Sequence, residues 1–274
     1  MNYAETLERR IQSRHVGWLD IRSTLQHFAL INYAVPIDRL TRHIPREHFE
    51  VVPFEVDGQT CGLLSVVPFL DEDFHYPRLV PFAKFRFGQT NHRVYVTHRR
   101  SGEHAVWFFG TTLGSWLVHC ARLLWRIPWH RAKYDIDCVL DESTGRYRRF
   151  AMQVDSSWCP SEIELQHTGE PMPLLEGFTS MPQQQLVLTH PVDGYFRRLD
   201  GSLGTYSIWH EEIALTQARA KRLYFGLYEQ LGILSREEMM RPHSVLICPK
   251  TEFVVHMPPR RYVDAATRPG AAPS

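Results

Sequence analysis

Phe87-Gly88-Gln89-Thr90-Asn91-His92-Arg93-Val94-Tyr95-Val96, then the turn Arg100-Ser101-Gly102-Glu103, then Ala105-Val106-Trp107-Phe108-Phe109 form the stretch from which the architecture can be worked out. Side chains alternate along a strand, so the first segment belongs to a long strand over Phe85–Arg100, and the glycine-containing turn folds it back on a partner over His104–Thr111. The partner is apolar on both faces, which predicts a central strand covered on each side. On the first strand Asn91, Arg93 and Tyr95 share one face, and His92, Val94 and Val96 share the other. In an open sheet that polar row would simply be hydrated. Inside a closed one it would line a cavity, where a guanidinium grips a carboxylate through two parallel hydrogen bonds and an amide and a phenol fix orientation.

The same reading extends in both directions. Ala4 to His15 reads as a short amphipathic surface helix, and Thr24 to Val35 as a buried strand that leads into a short helix opened by Pro36. Phe49 to Phe69, broken by Asp57-Gly58, reads as a hairpin. A helix over Leu113–Trp125 should pack on the sheet, and strands over Arg131–Leu140 and Tyr147–Val154 continue a meander. The turn-rich stretch Ser156–Thr179 is expected to be a long excursion, a flap over a pocket. Further strands are expected at Leu203–Ile208, His243–Cys248 and Glu252–His256, with a helix over Ala218–Leu231 that ends at Gly232. The domain organisation expected is an N-terminal surface segment at 1–23, one folded domain at 24–262, and a disordered tail at 263–274.

Composition narrows the function. With 274 residues, 43% hydrophobic and 22% charged, the chain can bury a full core, and its formal net charge of +1 gives no global pull toward nucleic acid or an anionic membrane. Neither a leader-like apolar stretch near the N-terminus nor a bilayer-length run is present, so a cytoplasmic protein is expected. The cysteines Cys61, Cys120, Cys138, Cys159 and Cys248 are scattered and odd in number, which points to reduced thiols rather than a disulfide or zinc framework. His210-Glu211-Glu212 has no second histidine one turn on, and there is no phosphate loop or dinucleotide fingerprint, so neither a metal nor a cofactor is expected. Gly201-Ser202-Leu203-Gly204 misses the nucleophile-elbow spacing.

Four segments together carry a resemblance: Leu30 to Leu40, Phe87 to Val96, Val106 to Phe109, and Arg126-Ile127-Pro128-Trp129-His130-Arg131-Ala132. In their order and spacing they resemble the YqjF-like domain of unknown function, within the acetoacetate decarboxylase-like superfamily, over Thr24 to Pro258. The resemblance implies an α+β fold, a mainly antiparallel, cone-like, partly open β-barrel wrapped around a helix, enclosing a small-molecule pocket. It also implies that the adjacent lysines with which acetoacetate decarboxylases form a Schiff base are replaced here by Trp129 and His130, and that family's arginine and glutamate by Ala34 and Gln89. Only Lys84, Lys133, Lys221 and Lys250 occur, and Lys133 alternates away from the apolar face formed by Ala132, Tyr134, Ile136 and Cys138.

The candidate site residues follow. Arg93 would hold a carboxylate, Asn91, Tyr95 and Gln89 would orient the ligand, and Trp107, Trp116 and Trp129 would supply apolar walls. His130 would be the catalytic proton carrier, because it titrates near neutrality at the position matching the lysine pair. Arg131 and His210 are weaker candidates. Three classes fit: an enzyme acting by acid or base chemistry on a keto, enol or unsaturated carboxylic acid, a protein that binds such a carboxylate or carbonyl compound without turnover, and a structural module whose pocket is filled. Long sheet edges also allow a homo-oligomer.

Overall fold

The computed structural model describes residues 2–263, so the tail expected over 263–274 lies, from residue 264 on, outside the described residues. After α1 (Tyr3–Gln12) the chain forms β1 (Ile21–Pro36), α2 (Ile37–Thr41), β2 (Phe49–Val51), β3 (Phe54–Val56), β4 (Gln59–Tyr76), β5 (Val80–His98) and β6 (His104–Leu113). Then come α3 (Leu117–Trp125), β7 (Trp129–Arg131), β8 (Lys133–Asp141), β9 (Arg146–Asp155), β10 (Ser161–Pro171) and α4 (Met181–Leu188). The chain finishes with β11 (Asp193–Arg197), β12 (Leu203–His210), β13 (Thr216–Phe225), α5 (Gly226–Gln230), α6 (Arg236–Met239) and β14 (Ser244–Arg261).

Strands β1, β4, β5, β6, β11, β12 and β14 follow one another around a barrel, which closes because β1 pairs with β4 on one side and with β14 on the other. Every pairing around it is antiparallel except β6 with β11. Closure removes the exposed edges that an open sheet would leave. From β14 the sheet continues through β13, β10, β9 and β8, a second layer.

Alternation along the shared strands gives each layer its own core. Leu25, Phe28, Leu63, Val67, Phe69, Val106 and Phe108 point into the barrel, where α4 contributes Val187 and Leu188. Ile31, Tyr33, Val35, Val94, Val96 and Trp107 point outward and pack with Phe150, Met152, Ile163, Leu223 and Phe225 of the second layer. So β6 is covered on both faces, as its apolar sequence requires.

Two segments differ from expectation. Residues 216–225 form a strand, not the first part of a helix, because pairing with β10 over Ser161↔Phe225 to His167↔Ala218 satisfies the backbone and turns Leu223 and Phe225 into the outer core. Helix is confined to the short α5 before Gly232. The stretch expected as a flap, 156–179, contains β10, which is held between β9 and β13. On α3 only Val118 and Ala121 are buried, and Leu123 and Leu124 face solvent. At the N-terminus, α1 docks on α4 and β12: Leu7 is buried, Arg10 donates to the His190 carbonyl, and Trp209 Nε1 donates to the Ile11 carbonyl at 2.9 Å. No helix among the described residues is long and apolar enough to cross a membrane.

The layers meet closely at Gly110 of β6, where an added Cβ would lie 2.7 Å from the Trp158 ring and 2.9 Å from the Pro128 carbonyl. Neither the indole nor the backbone can retreat in a packed core. Gly110→Ala is therefore expected to destabilise the protein by about 1–3 kcal/mol in urea unfolding, and an unchanged midpoint would refute this close approach.

Candidate functional site

A cavity of about 100 Å³ lies inside the barrel. Its walls are mostly apolar, among them Leu25, Phe28, Val67, Phe69, Phe108 and Trp129. Polar groups enter from the strands whose alternation points inward: Gln89, Asn91 and Arg93 from β5, Asp71 from β4 and Ser23 from β1. The β4–β5 ladder runs without interruption from Leu64↔Val94 to Asp71↔Phe87, placing Gln89 opposite Phe69, Asn91 opposite Val67 and Arg93 opposite Ser65.

Arg93 is 8% exposed. Its Nη2 donates to the Leu188 carbonyl at 3.3 Å, at the C-terminal end of α4, and to Tyr95 Oη at 3.5 Å, while Nε has no partner. No carboxylate pairs with it among the described residues. A buried cation left without a counter-ion costs several kcal/mol of desolvation, which the Tyr95 ring, 5.5 Å from the guanidinium carbon, offsets only in part. Asn91 Oδ1 accepts from Gln89 Nε2 at 3.0 Å and from Thr111 Oγ1 at 2.9 Å, which fixes the orientation of its amide. Tyr95 is fully enclosed and donates to the Leu188 carbonyl at 3.1 Å, so it supports Arg93 from below.

Asp71 was missed by the sequence reading. It is 3% exposed, Oδ1 accepts from Ser23 Oγ at 2.7 Å, and Oδ2 has no partner. Burial pushes its pKa up to about 7, with the Ser23 hydrogen bond acting in the opposite direction. The residue stands two places beyond Phe69 and four beyond Val67, in phase with the inward apolar face, and that phase was the available signal.

The remaining candidates lie elsewhere. Trp129 lines the cavity, but its neighbour His130 points to the other side of the wall, as the alternation of β7 beside β6 demands. There His130 stacks on Trp158 with ring centroids 4.1 Å apart, and burial, helped by Arg122, lowers its pKa to about 4. His92 shares that pocket of the outer core: Nδ1 lies 3.0 Å from Tyr228 Oη, Nε2 has no partner, and burial lowers its pKa to about 3. Arg93 and His130 are thus not brought together. Trp107 packs on Phe49 in the outer core, Trp116 is exposed beside Phe85, and Arg131 is exposed. His210 is buried against the Thr189 carbonyl, with Nε2 2.6 Å from it. All four lysines, Lys84, Lys133, Lys221 and Lys250, are exposed.

A closed, mainly antiparallel barrel whose sheet continues into a second layer is the architecture shared with the acetoacetate decarboxylase-like class of fold. The solved structures agree: acetoacetate decarboxylase from Legionella pneumophila superposes with a TM-score of 0.57 at 12% identity, covering 96% of this chain and 97% of that one. The enduracididine biosynthesis enzyme MppR complexed with pyruvate gives 0.56 at 11% identity, over 91% of this chain and 93% of its own. An acetoacetate decarboxylase-like enzyme from Sphingomonas wittichii RW1 gives 0.51 at 10% identity, over 88% and 91%. At such identities the likeness concerns the fold. The chain belongs to the DUF2071 family, described as an uncharacterized conserved protein, whose model matches residues 22–252. No curated protein matches it.

Asp71 leads to a prediction about stability. The folded protein retains a proton at Asp71 that the unfolded chain releases near pH 4, so the stability due to this group is highest below pH 4, falls as pH rises to about 7, and is then level. Asp71→Asn keeps an acceptor for Ser23 and removes the titration. The variant should match the wild type below pH 4 and exceed it at pH 8 by up to roughly 4 kcal/mol. Urea unfolding at pH 4, 6 and 8 measures this, and a gap independent of pH would count against a buried titrating carboxyl.

Proposed function

We propose that this protein binds an organic acid, of the keto, enol or unsaturated class, inside the barrel, and that it performs acid–base chemistry on it without a Schiff base. The observation that carries the reading is Arg93, a buried guanidinium that lines the cavity, has an unused Nε, and has no carboxylate beside it among the described residues. A ligand carboxylate would supply the missing charge through paired hydrogen bonds. The Asn91 and Gln89 amides stand next along the same strand, at hand for a carbonyl oxygen, and Trp129 offers an apolar wall. Schiff-base formation requires a desolvated amine, and the exposure of all four lysines speaks for another mechanism. Asp71, whose pKa of about 7 keeps both protonation states populated at neutral pH, is the group available for proton transfer to a ligand long enough to reach it from Arg93. That one relative was solved in complex with pyruvate is in keeping with a small carboxylate as ligand.

A thermal-shift screen against keto acids, enol acids, aldehydes and simple carboxylates tests the reading. A ligand at about one hundred times its Kd should stabilise the wild type by roughly 2.7 kcal/mol. Arg93→Ala should abolish the response to carboxylates. A shift from aldehydes alone, or an equal shift in both proteins, would remove the carboxylate from the proposal.

A further inference from the structure

The two charged side chains that line the cavity, Arg93 and Asp71, stand at its two ends, with the Asn91 and Gln89 amides between them along β5. Ser65, which pairs with Arg93, is six residues along β4 from Asp71, and the intervening ladder is regular. At about 3.3 Å per residue the two backbone positions are roughly 20 Å apart, more than an arginine and an aspartate can span with their side chains. Consistent with this, burial and the Ser23 hydrogen bond account for the Asp71 shift, with no contribution from Arg93. Between the two ends, Val67, Phe69, Phe108 and Trp129 contribute apolar wall, and Asn91 and Gln89 add one edge of neutral amides that hydrogen-bond to each other.

Each end lacks something different. At the Arg93 end a guanidinium has a donor without an acceptor. At the Asp71 end Oδ2 is an acceptor without a donor, because Ser23 occupies only Oδ1. Leaving such a buried group unsatisfied costs on the order of 1–3 kcal/mol, and nothing among the described side chains relieves it. An extended ligand would relieve both ends at once.

Building on the carboxylate reading above, we propose that the natural ligand is an elongated, bipolar molecule: its carboxylate sits at Arg93, an apolar chain or ring fills the middle, and a hydrogen-bond donor, an ammonium or a hydroxyl, meets Asp71 Oδ2. A short keto acid would occupy only the Arg93 end. The same placement brings the far functional group of the ligand against the proton-accepting oxygen of Asp71, so chemistry would occur at the end remote from the carboxylate.

Isothermal titration of the wild type and Asp71→Asn with octanoate, ω-hydroxyoctanoate and ω-aminooctanoate, and with butanoate and γ-aminobutanoate as short controls, tests this. The wild type should bind one or both of the terminally substituted octanoates about tenfold or more tighter than octanoate, the gain expected of one hydrogen bond to a charged group. A gain from amine and hydroxyl alike marks a plain acceptor, and a gain from the amine alone marks an ionised carboxylate; either supports the proposal. The gain should be lost in Asp71→Asn, whose retained affinity for octanoate certifies its fold, and it should be absent between the two short acids. If the substituted octanoates bind no better than octanoate, or keep their advantage in Asp71→Asn, the Asp71 end is not a ligand site, although the carboxylate reading stands. If no carboxylate of either length binds the wild type, both proposals fall.

Discussion

Strand β1 carries two neighbours, β4 over Arg22↔His75 to Pro36↔Cys61 and β14 over Ile21↔Val255 to Asn32↔Ser244, and this double pairing is the constraint on which the remainder of the structure rests. Because β4 and β14 are already joined through β5, β6, β11 and β12, a β1 that pairs with both closes the ring and gives the wall an inside. Once an inside exists, the alternation of every strand acquires a consequence. Leu25 and Val67 fall in the barrel core and Ile31 and Val94 in the outer one, and each set of apolar side chains is withdrawn from water by a different partner layer. The bend at His27, with φ at 52°, falls where the β1–β4 register shifts and lets one long strand serve both ladders.

Closure also changes what a polar side chain means. Arg93 on an open sheet would be one more hydrated guanidinium. In the barrel it loses its water and is offered only long contacts to Leu188 and Tyr95, so its charge is uncompensated by the protein. The same holds for Asp71, whose neutral form is favoured by burial. Both groups work against stability, and both line the cavity inside the barrel.

The sequence disclosed the face-by-face order of β5 and β6 because strict alternation over a long strand leaves one solution. It also turned Lys133 away from the apolar face of its strand, and that lysine is exposed. Residues 216–225 were misleading because Ala218, Ala220 and Leu223 suit a helix as well as a strand, and only the pairing with β10, distant in sequence, decides between them. Asp71 was hidden for a related reason: an acidic residue reads as the end of a strand, whereas β4 continues through it to Tyr76. The side on which His130 lies could not be read from a three-residue strand, where the phase is set by the pairing of β7 with β6 and not by any pattern of its own.

That last point bears on how chemistry is distributed in this fold. The resemblance to acetoacetate decarboxylases aligns their adjacent lysines with Trp129 and His130, and adjacent residues on a strand necessarily face opposite ways. One position of such a pair points into the cavity and the other into the outer core. Here the inward position is an indole that lines the cavity beside Ile127, and the outward one is an imidazole held neutral by burial against Trp158. The inward position of this pair is therefore apolar here, and the charged side chains that line the cavity, Arg93 and Asp71, come from β5 and β4. The barrel dictates which residue numbers face inward, but not what those residues are, and a common fold at 12% identity is therefore compatible with chemistry moved to different strands.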